Sequence, residues 1–557
     1  MKARTVGVRP AIPVVIAGEV IVLAALMVFP PRHSGWWPAA VIGGVAALVL
    51  LVTVHRRNAF SWAAAAARWW SQRRTPASAA AAVDVPHGSS LCGVRVDEHE
   101  AITMISVAGL AYAPTLLRGA AVSHTANVVP LHILAALLDQ PGGLQLSGID
   151  VVSSGMRVRR GSGYPPLYST LLADRPAAGQ RTTRLIVRLD INASVAALSY
   201  RTSIGAAAAA ATERIVNALL QEGIRATALT AHQLDAALAD LGAGLAVAPP
   251  QPVADVEAVD PAERVVEAYS HSAPVADVGW RTVNAHPGHL TTYYYSPHDI
   301  ATATLNQMWA LRTDEIVQTT TISRARGAEA GGGRPVTVSA VVRCNDPQPP
   351  PQPPTLYLNP LPGDQYAATL RAAPTARPPL RVPSRPLGDP AALAIPIGST
   401  GILVGAALDD DPYLGTRRDD LVMLALTDQQ RATRIAMETS EFYTRQLLIR
   451  AAAVGERIAI YTNAPQRWAS LAQSHIAVVE RRRPPEFVPT IIVSDRPSPP
   501  SAGLASTVIT IGRPAPDAPT PDLHFEQTSR STVRITTATF TTDVVIAAFR
   551  QEQAWTG

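Results

Sequence analysis

Two long apolar runs near the start of the chain constrain it more than any other feature. Ile12 to Phe29 is an 18-residue apolar stretch interrupted only by Glu19, and Trp36 to Val54 is a 19-residue stretch without a charge. As helices rising 1.5 Å per residue, each is of the order needed to cross a hydrocarbon core of ~30 Å. Only Pro30 to Gly35 separates them, so the two helices must be antiparallel neighbours. The expectation is an uncleaved transmembrane hairpin over residues 1–57. A cleaved signal peptide is the competing reading. The second run, the Arg56–Arg57 stop and the lack of a small-residue cleavage pattern after the first run weigh against it.

Charge supports a membrane setting. Residues 1–74 hold nine basic residues and one acid, a formal +8, while the remaining 483 residues come to −3. The large remainder therefore has no electrostatic footing for a nucleic-acid partner. Three basic residues precede the first run, one lies in the turn and five follow the second run. The positive-inside rule then places both termini in the cytoplasm, giving a multi-pass protein of the inner (plasma) membrane that contacts the lipid bilayer. The two cysteines, Cys92 and Cys344, have neither the number nor the spacing of a disulfide framework or a zinc site, which fits a reducing compartment.

Within this segment Trp36 and Trp37 suit the outer interface, and Trp62, Trp69 and Trp70 the inner one, beside Arg56 and Arg57. Glu19 is a carboxyl inside an apolar run. It reads either as a functional group or as an acid packed against another subunit. Ala39, Gly43 and Ala47 recur every four residues, as do Ala40 and Gly44, the small-residue pattern of closely packed helices.

The rest reads as a cytoplasmic α/β (α+β) region of two packed units. Residues 58–90 form a juxtamembrane helix and linker, 91–345 the first unit, 346–390 a Pro-rich linker and 391–557 the second unit. Leu91 to Ala108 alternates around a polar turn as a β-hairpin. GIDVVS (Gly148 to Ser153) and RLIVRLDI (Arg184 to Ile191) read as strands. Gly205 to Glu222 and Thr230 to Leu241 read as helices, the first stopped by Gly223. The segment 346–390 carries 14 of the 48 prolines and reads as an extended spacer. In the second unit Ala394 to Val404 reads as a hairpin and Leu421 to Leu426 as a strand. Thr427 and Gln430, at capping-box spacing, open a long helix running to about Val454.

Catalytic constellations are sparse. There is no GxxxxGK[ST] phosphate loop and no HExxH, and no catalytic, cofactor-binding or metal residue is assigned. His286, His289, His298 and Asp299 could surround a metal, but their His-Pro-Gly-His turn reads more simply as a loop. Asp409, Asp410 and Asp411, with Asp419 and Asp420, admit an Asp-x-Asp metal-nucleotide site, which would make the chain a membrane-anchored glycosyltransferase-like enzyme. DDDPYLG reads more simply as a solvated turn.

Five segments in this order resemble one family: GIDVVSSGMRV (Gly148 to Val158), RLIVRLDINASVAAL (Arg184 to Leu198), WRTVNAHPGHLTTYYYSPHDI (Trp280 to Ile300), MWALRTDEIVQTTTIS (Met308 to Ser323) and GERIAIYTNAPQRW (Gly455 to Trp468). Together they resemble EccE, a membrane component of the mycobacterial type VII (ESX) secretion system. The resemblance implies a structural, non-enzymatic subunit without cofactor. Its partners would be EccB, EccC and EccD, with EccC as the ATPase.

Overall fold

The computed structural model describes residues 6–8, 12–28, 36–54, 57–72, 77–88, 90–97, 99–119, 122–247, 276–285, 288–325, 334–428, 430–479, 485–496, 507–514 and 519–557. The first apolar run forms helix α1, Ile12–Val28, of 17 residues, and the second forms α2, Trp37–Leu51, of 15 residues. At 1.5 Å per residue they reach only about 26 and 23 Å. The second is short because Val52–Val54 leaves the helix and pairs as an antiparallel strand with Val6–Val8. Among the described residues no helix is long and apolar enough to cross a membrane. That finding overturns the transmembrane hairpin and the multi-pass topology. The N-terminus is a pair of short apolar helices, followed by α3, Ala59–Gln72, and the chain as a whole is sheet-rich α+β.

Beyond residue 80 two large sheets dominate. The first is antiparallel, and its long central strands are Leu144–Met156, Gln180–Asp190 and Glu315–Arg324. Glu100–Ala108 and Ser90–Asp97 extend it on one side, Val336–Asp346 and Gly288–Tyr295 on the other. Strict alternation sends Ile149, Val151, Leu185 and Val187 into one apolar core, and Val152, Ile186, Ile102 and Met104 into another on the opposite face. Helix α4, Ile204–Gln221, covers the first face. The Ser203 side chain caps it, accepting the Ala206 N–H at 3.0 Å, and its alanines allow close approach to the strands. Helix α5, Ala231–Gly242, covers the other face and starts with a full capping box between Thr230 and Gln233.

Residues 346–390 do not hang free between units. Leu358–Pro360 pairs with Tyr293–Tyr295, Arg385–Pro386 pairs with Thr337–Val338, and the short helix Gln365–Thr369 is buried. The prolines crowd into 347–354, where the chain crosses from one side of strand Gly288–Tyr295 to the other. A crossover makes no ladder hydrogen bonds, so the missing proline N–H groups cost nothing there.

A buried ion network fastens the following segment to the first sheet. Asp150, fully buried, accepts from Arg188 Nε and from an Arg377 guanidinium nitrogen at 2.8 Å each, and from the Thr321 hydroxyl at 2.6 Å. Arg188 also donates to the Thr375 carbonyl at 2.6 Å. Burial alone would raise the Asp150 pKa, but the facing Arg377 and Arg188 outweigh it and hold the carboxyl well below its ordinary range.

The second sheet is mixed. Strands Ile476–Val479, Ile458–Tyr461, Ile491–Ser494, Thr507–Ile511, Thr433–Glu438 and Leu523–Gln527 lie parallel in that spatial order. Thr532–Thr537, Thr541–Val545, Ile402–Ala407 and Leu421–Leu424 continue it antiparallel. The sheet ends on two strands from the first half of the chain, Thr115–Arg118 and Val122–Thr125. Helix α6, Glu441–Ala453, packs into this core with Tyr164 and Tyr168, again from the first half.

Two sequence expectations fail in this sheet. The long helix from Thr427 is instead strand Thr433–Glu438 followed by α6. The Thr427 hydroxyl donates to Glu456 at 2.8 Å rather than capping, and the Gln430 N–H bonds to Asp428 at 3.0 Å. The hairpin over 394–404 is also absent, since Ile402–Ala407 takes Leu421–Leu424 as its partner.

Candidate functional site

The apolar helix pair and its mount on the first sheet form the most unusual surface of the described structure. Gly43 sets the closest approach, since a Cβ there would lie 3.0 Å from Val22 Cγ2, while a Cβ on Gly18 would make ordinary contact with Leu50 at 4.0 Å. Those two contacts require antiparallel helices. The Ala40–Gly44 line behaves differently, because a Cβ on Gly44 would meet nothing within 4 Å. The outer faces carry Val15, Ile16, Val20, Leu23, Met27, Val41 and Val45, all exposed, and Trp36 and Trp37 stand 74% and 64% exposed at the start of α2. Contiguous apolar surface of this kind marks a site of association. Glu19 is exposed on α1. Ala39 and Ala47 lie on α2 with side chains outside the described residues, as is Arg56.

A polar joint connects the pair to α3. The Asn58 side-chain oxygen caps α3 by accepting the Ser61 N–H at 2.9 Å, and its amide donates to the Leu50 carbonyl at the end of α2 at 3.2 Å. One side chain therefore fixes the angle between the two helices.

Helix α3 is in turn clamped to the body. Arg57 and Arg68 both pair with Asp364, Arg68 at 3.1 Å, and Arg57 also donates to the Pro362 carbonyl at 2.8 Å. Asp364 is 6% exposed, so this is a largely desolvated carboxylate between two guanidinium groups. Beside it Trp62 and Trp69 enclose Trp280, with ring centroids 6.0 and 5.5 Å away. The Trp69 indole donates to the Val278 carbonyl at 2.8 Å, and Arg57 stacks over Trp62 at 5.4 Å. Ala65 is fully buried in the contact. Gly363 has φ +79°, and a Cβ there would sit 2.7 Å from Trp280. Glycine is needed at that point both for the turn and for the tryptophan.

Of the residues singled out by sequence, Arg57 and Trp69 belong to this clamp, while Trp70 faces outward at 68% exposure. Asn58, Trp280, Gly363 and Asp364 are clamp residues that sequence reasoning missed. Pro362-Gly363-Asp364 is a visible turn signal, but nothing in the sequence ties it to Arg57, 307 residues earlier.

The candidate metal groups do not assemble. His286 lies outside the described residues, and His289 Nδ1 is 2.7 Å from Asn284 Oδ1. Among the described residues no three His, Cys, Asp or Glu side chains form a group able to hold a metal ion. The Asp411 carboxylate faces its own turn and accepts the Tyr413 N–H at 2.8 Å.

Comparison with known proteins gives one consistent result. A family model described as "EccE: Putative type VII ESX secretion system translocon, EccE" matches residues 177–295. That span includes strand Gln180–Asp190, α4, α5 and the Val278–Trp280 wall of the clamp. The chain is 28% identical over 492 residues to the ESX-2 secretion system protein EccE2 of Mycobacterium tuberculosis (strain CDC 1551 / Oshkosh), covering 83% of this chain and 82% of that protein. It is 30% identical over 284 residues to the ESX-5 secretion system protein EccE5 of Mycobacterium marinum, covering 49% of this chain and 62% of that one. The EccE5 protein of Mycobacterium tuberculosis (strain ATCC 25618 / H37Rv) is 29% identical over 296 residues, 49% of this chain and 64% of that one. These matches to the ESX-5 relatives thus span under two thirds of their length.

Proposed function

Since the chain belongs to the EccE family and is a type VII secretion system component, we propose that it serves as a structural, non-catalytic subunit that stabilises the secretion complex for protein export. The observation that carries this reading is the exposed apolar helix pair held on a desolvated Arg57–Asp364–Arg68 clamp. A surface of that kind is costly to leave in water, and the clamp presents it at a fixed angle to the body. The buried acids also fit a structural role: Asp150 binds arginines and Thr321, Glu552 binds Arg450 at 2.9 Å, and Glu456 accepts from Thr427 and Thr490.

Its partners in this reading are EccB, EccC and EccD, in a complex of the inner (plasma) membrane, with the two-sheet body on the cytoplasmic side. The apolar pair would be covered by the apolar part of that complex. The glycosyltransferase-like alternative finds no support in the turn that holds Asp409 and Asp411. Deleting the gene and measuring export of the system's substrates tests the proposal. Loss of export that returns with the intact gene supports it, and normal export from an intact complex removes it.

A further inference from the structure

Helix α3 is apolar on both sides. The side toward the body carries Trp62, Ala65 and Trp69, and Ala65 is fully buried there. The opposite side carries Phe60, Ala63, Ala64, Ala67 and Trp70, which share one face of a helix by their spacing, and every one of them is exposed. A helix packed on its own protein along one side ordinarily turns polar side chains to water along the other. The 14 residues of α3 contain no acid and a single arginine, Arg68, which is turned to Asp364. Phe60 and Trp70 are 65% and 68% exposed and stand about 15 Å apart along the helix axis.

The chemistry of that outer side and the charge around it select the cover. Between its two aromatic ends the side offers only alanines. A protein partner is recognised through hydrogen bonds across the contact, roughly one per 100–200 Å², whereas a bilayer asks for none. Aromatic rings on a helix lying flat suit the boundary between headgroups and acyl chains. Charge points the same way independently. Residues 1–74 come to a formal +8 and the remaining 483 to −3, and at the clamp two guanidinium groups share the one carboxylate of Asp364. The segment that bares apolar surface is therefore also the basic one, which attracts anionic headgroups. The Asn58 joint holds α3 to the end of the exposed apolar pair, so the two surfaces belong to one rigid mount.

We propose that α3 is an in-plane interface helix, its Phe60–Trp70 side lying in the headgroup region of an anionic phospholipid bilayer while the Arg57–Asp364–Arg68 clamp holds the body directly beneath. This deepens the structural reading above and rests on it for the placement of the body at the membrane.

The test places nitroxide labels on the outer side of the full-length chain, through Ala63→Cys and Ala67→Cys, the native Cys92 and Cys344 being buried. The chain is reconstituted in vesicles of phosphatidylcholine, alone or mixed with phosphatidylglycerol, and collisions of the labels with oxygen and with a water-soluble nickel chelate report their depth. In the mixed vesicles both labels should lie about 5–10 Å into the boundary region, and in phosphatidylcholine alone they should lie shallower. Phe60→Ser with Trp70→Ser should raise nickel collisions about tenfold, as expected when two partly buried aromatic side chains are lost, with thermal unfolding unchanged because neither residue is part of the clamp. Labels in water in both vesicles, or at equal depth in both, overturn the proposal. Labels shielded from oxygen and nickel alike in the native complex also overturn it, since another subunit then covers this side. A gene deletion that leaves complex and export intact removes the structural reading whatever the labels show, whereas labels in water beside a defective deletion remove the interface helix alone.

Discussion

Glu552 offers the sharpest test of how the two halves of the chain are held together. It is fully buried near the C-terminus and meets Arg450 of α6 in a two-point contact, both arms at 2.9 Å. Gln446 donates to the same carboxylate at 2.5 Å, and so does the hydroxyl of Tyr164, from the first half of the chain. Trp555 lies edge-on to Tyr164, with ring centroids 5.3 Å apart. Burial pulls the Arg450 pKa down, but Glu552 more than offsets this, so the guanidinium stays charged with no solvent in reach.

Glu552→Ala would strand that charge and orphan two further donors. Removing one partner of a buried pair costs about 3–5 kcal/mol. At roughly 2–4 °C per kcal/mol for a domain of this size, Tm should fall by about 6–20 °C. The assay is urea unfolding and calorimetry on the single variants Glu552→Ala and Arg450→Met and on the double variant. The double variant should lose less than the sum of the singles, because it strands no charge, with a coupling of about 2 kcal/mol or more. A loss below about 1 kcal/mol in Glu552→Ala, or additive singles, would refute the account of this joint.

Three further outcomes follow from the clamp and from the buried Glu456. Asp364→Ala removes the acceptor shared by Arg57 and Arg68, worth about 1.5–3 kcal/mol for charged hydrogen bonds; trypsin should then cut at Arg57 and Arg68 at least roughly tenfold faster, and an unchanged rate contradicts the clamp. Gly363→Ala places a Cβ 2.7 Å from Trp280 at φ +79°, so it should destabilise the same joint by more than about 1 kcal/mol, read as the same faster tryptic cleavage. Glu456, whose pKa burial raises against the opposing bonds from Thr490 and Thr427, supplies stability that is complete below its unfolded value of about 4.3 and is lost as pH rises through the higher folded value. Glu456→Gln keeps a polar, uncharged group there, so its Tm relative to wild type should climb between pH 4 and pH 8, and a pH-independent difference would show the sign to be wrong.

Local signals made much of the first sheet legible. The polar turn after Asp97 marks the hairpin, alternation in RLIVRLDI marks the strand at Gln180–Asp190, and Gly223 marks the end of α4. The second sheet was harder because its parallel strands are short, and those at Ile458–Tyr461 and Ile491–Ser494 are buried nearly throughout. TRIAME alternates over only six residues, with Thr433, Ile435 and Met437 facing the core, and the adjacent Thr427–Gln430 spacing imitates a cap. The apolar runs were legible as apolar but not as to length, since pairing of Val52–Val54 with Val6–Val8 is a long-range choice. The clamp was half legible: Arg57 and Trp69 stand out beside the apolar runs, whereas Asp364 and Trp280 acquire meaning only when folding brings them there.

The central claim is that this chain supports a multi-subunit export complex rather than performing chemistry. Native-gel sizing of the membrane complex, with mass spectrometry of its subunits, in cells with and without the gene tests it most directly. The account predicts that without the gene the complex falls apart or shrinks by more than one subunit and returns when the intact gene is restored. A complex of unchanged size that has lost only this chain would contradict it.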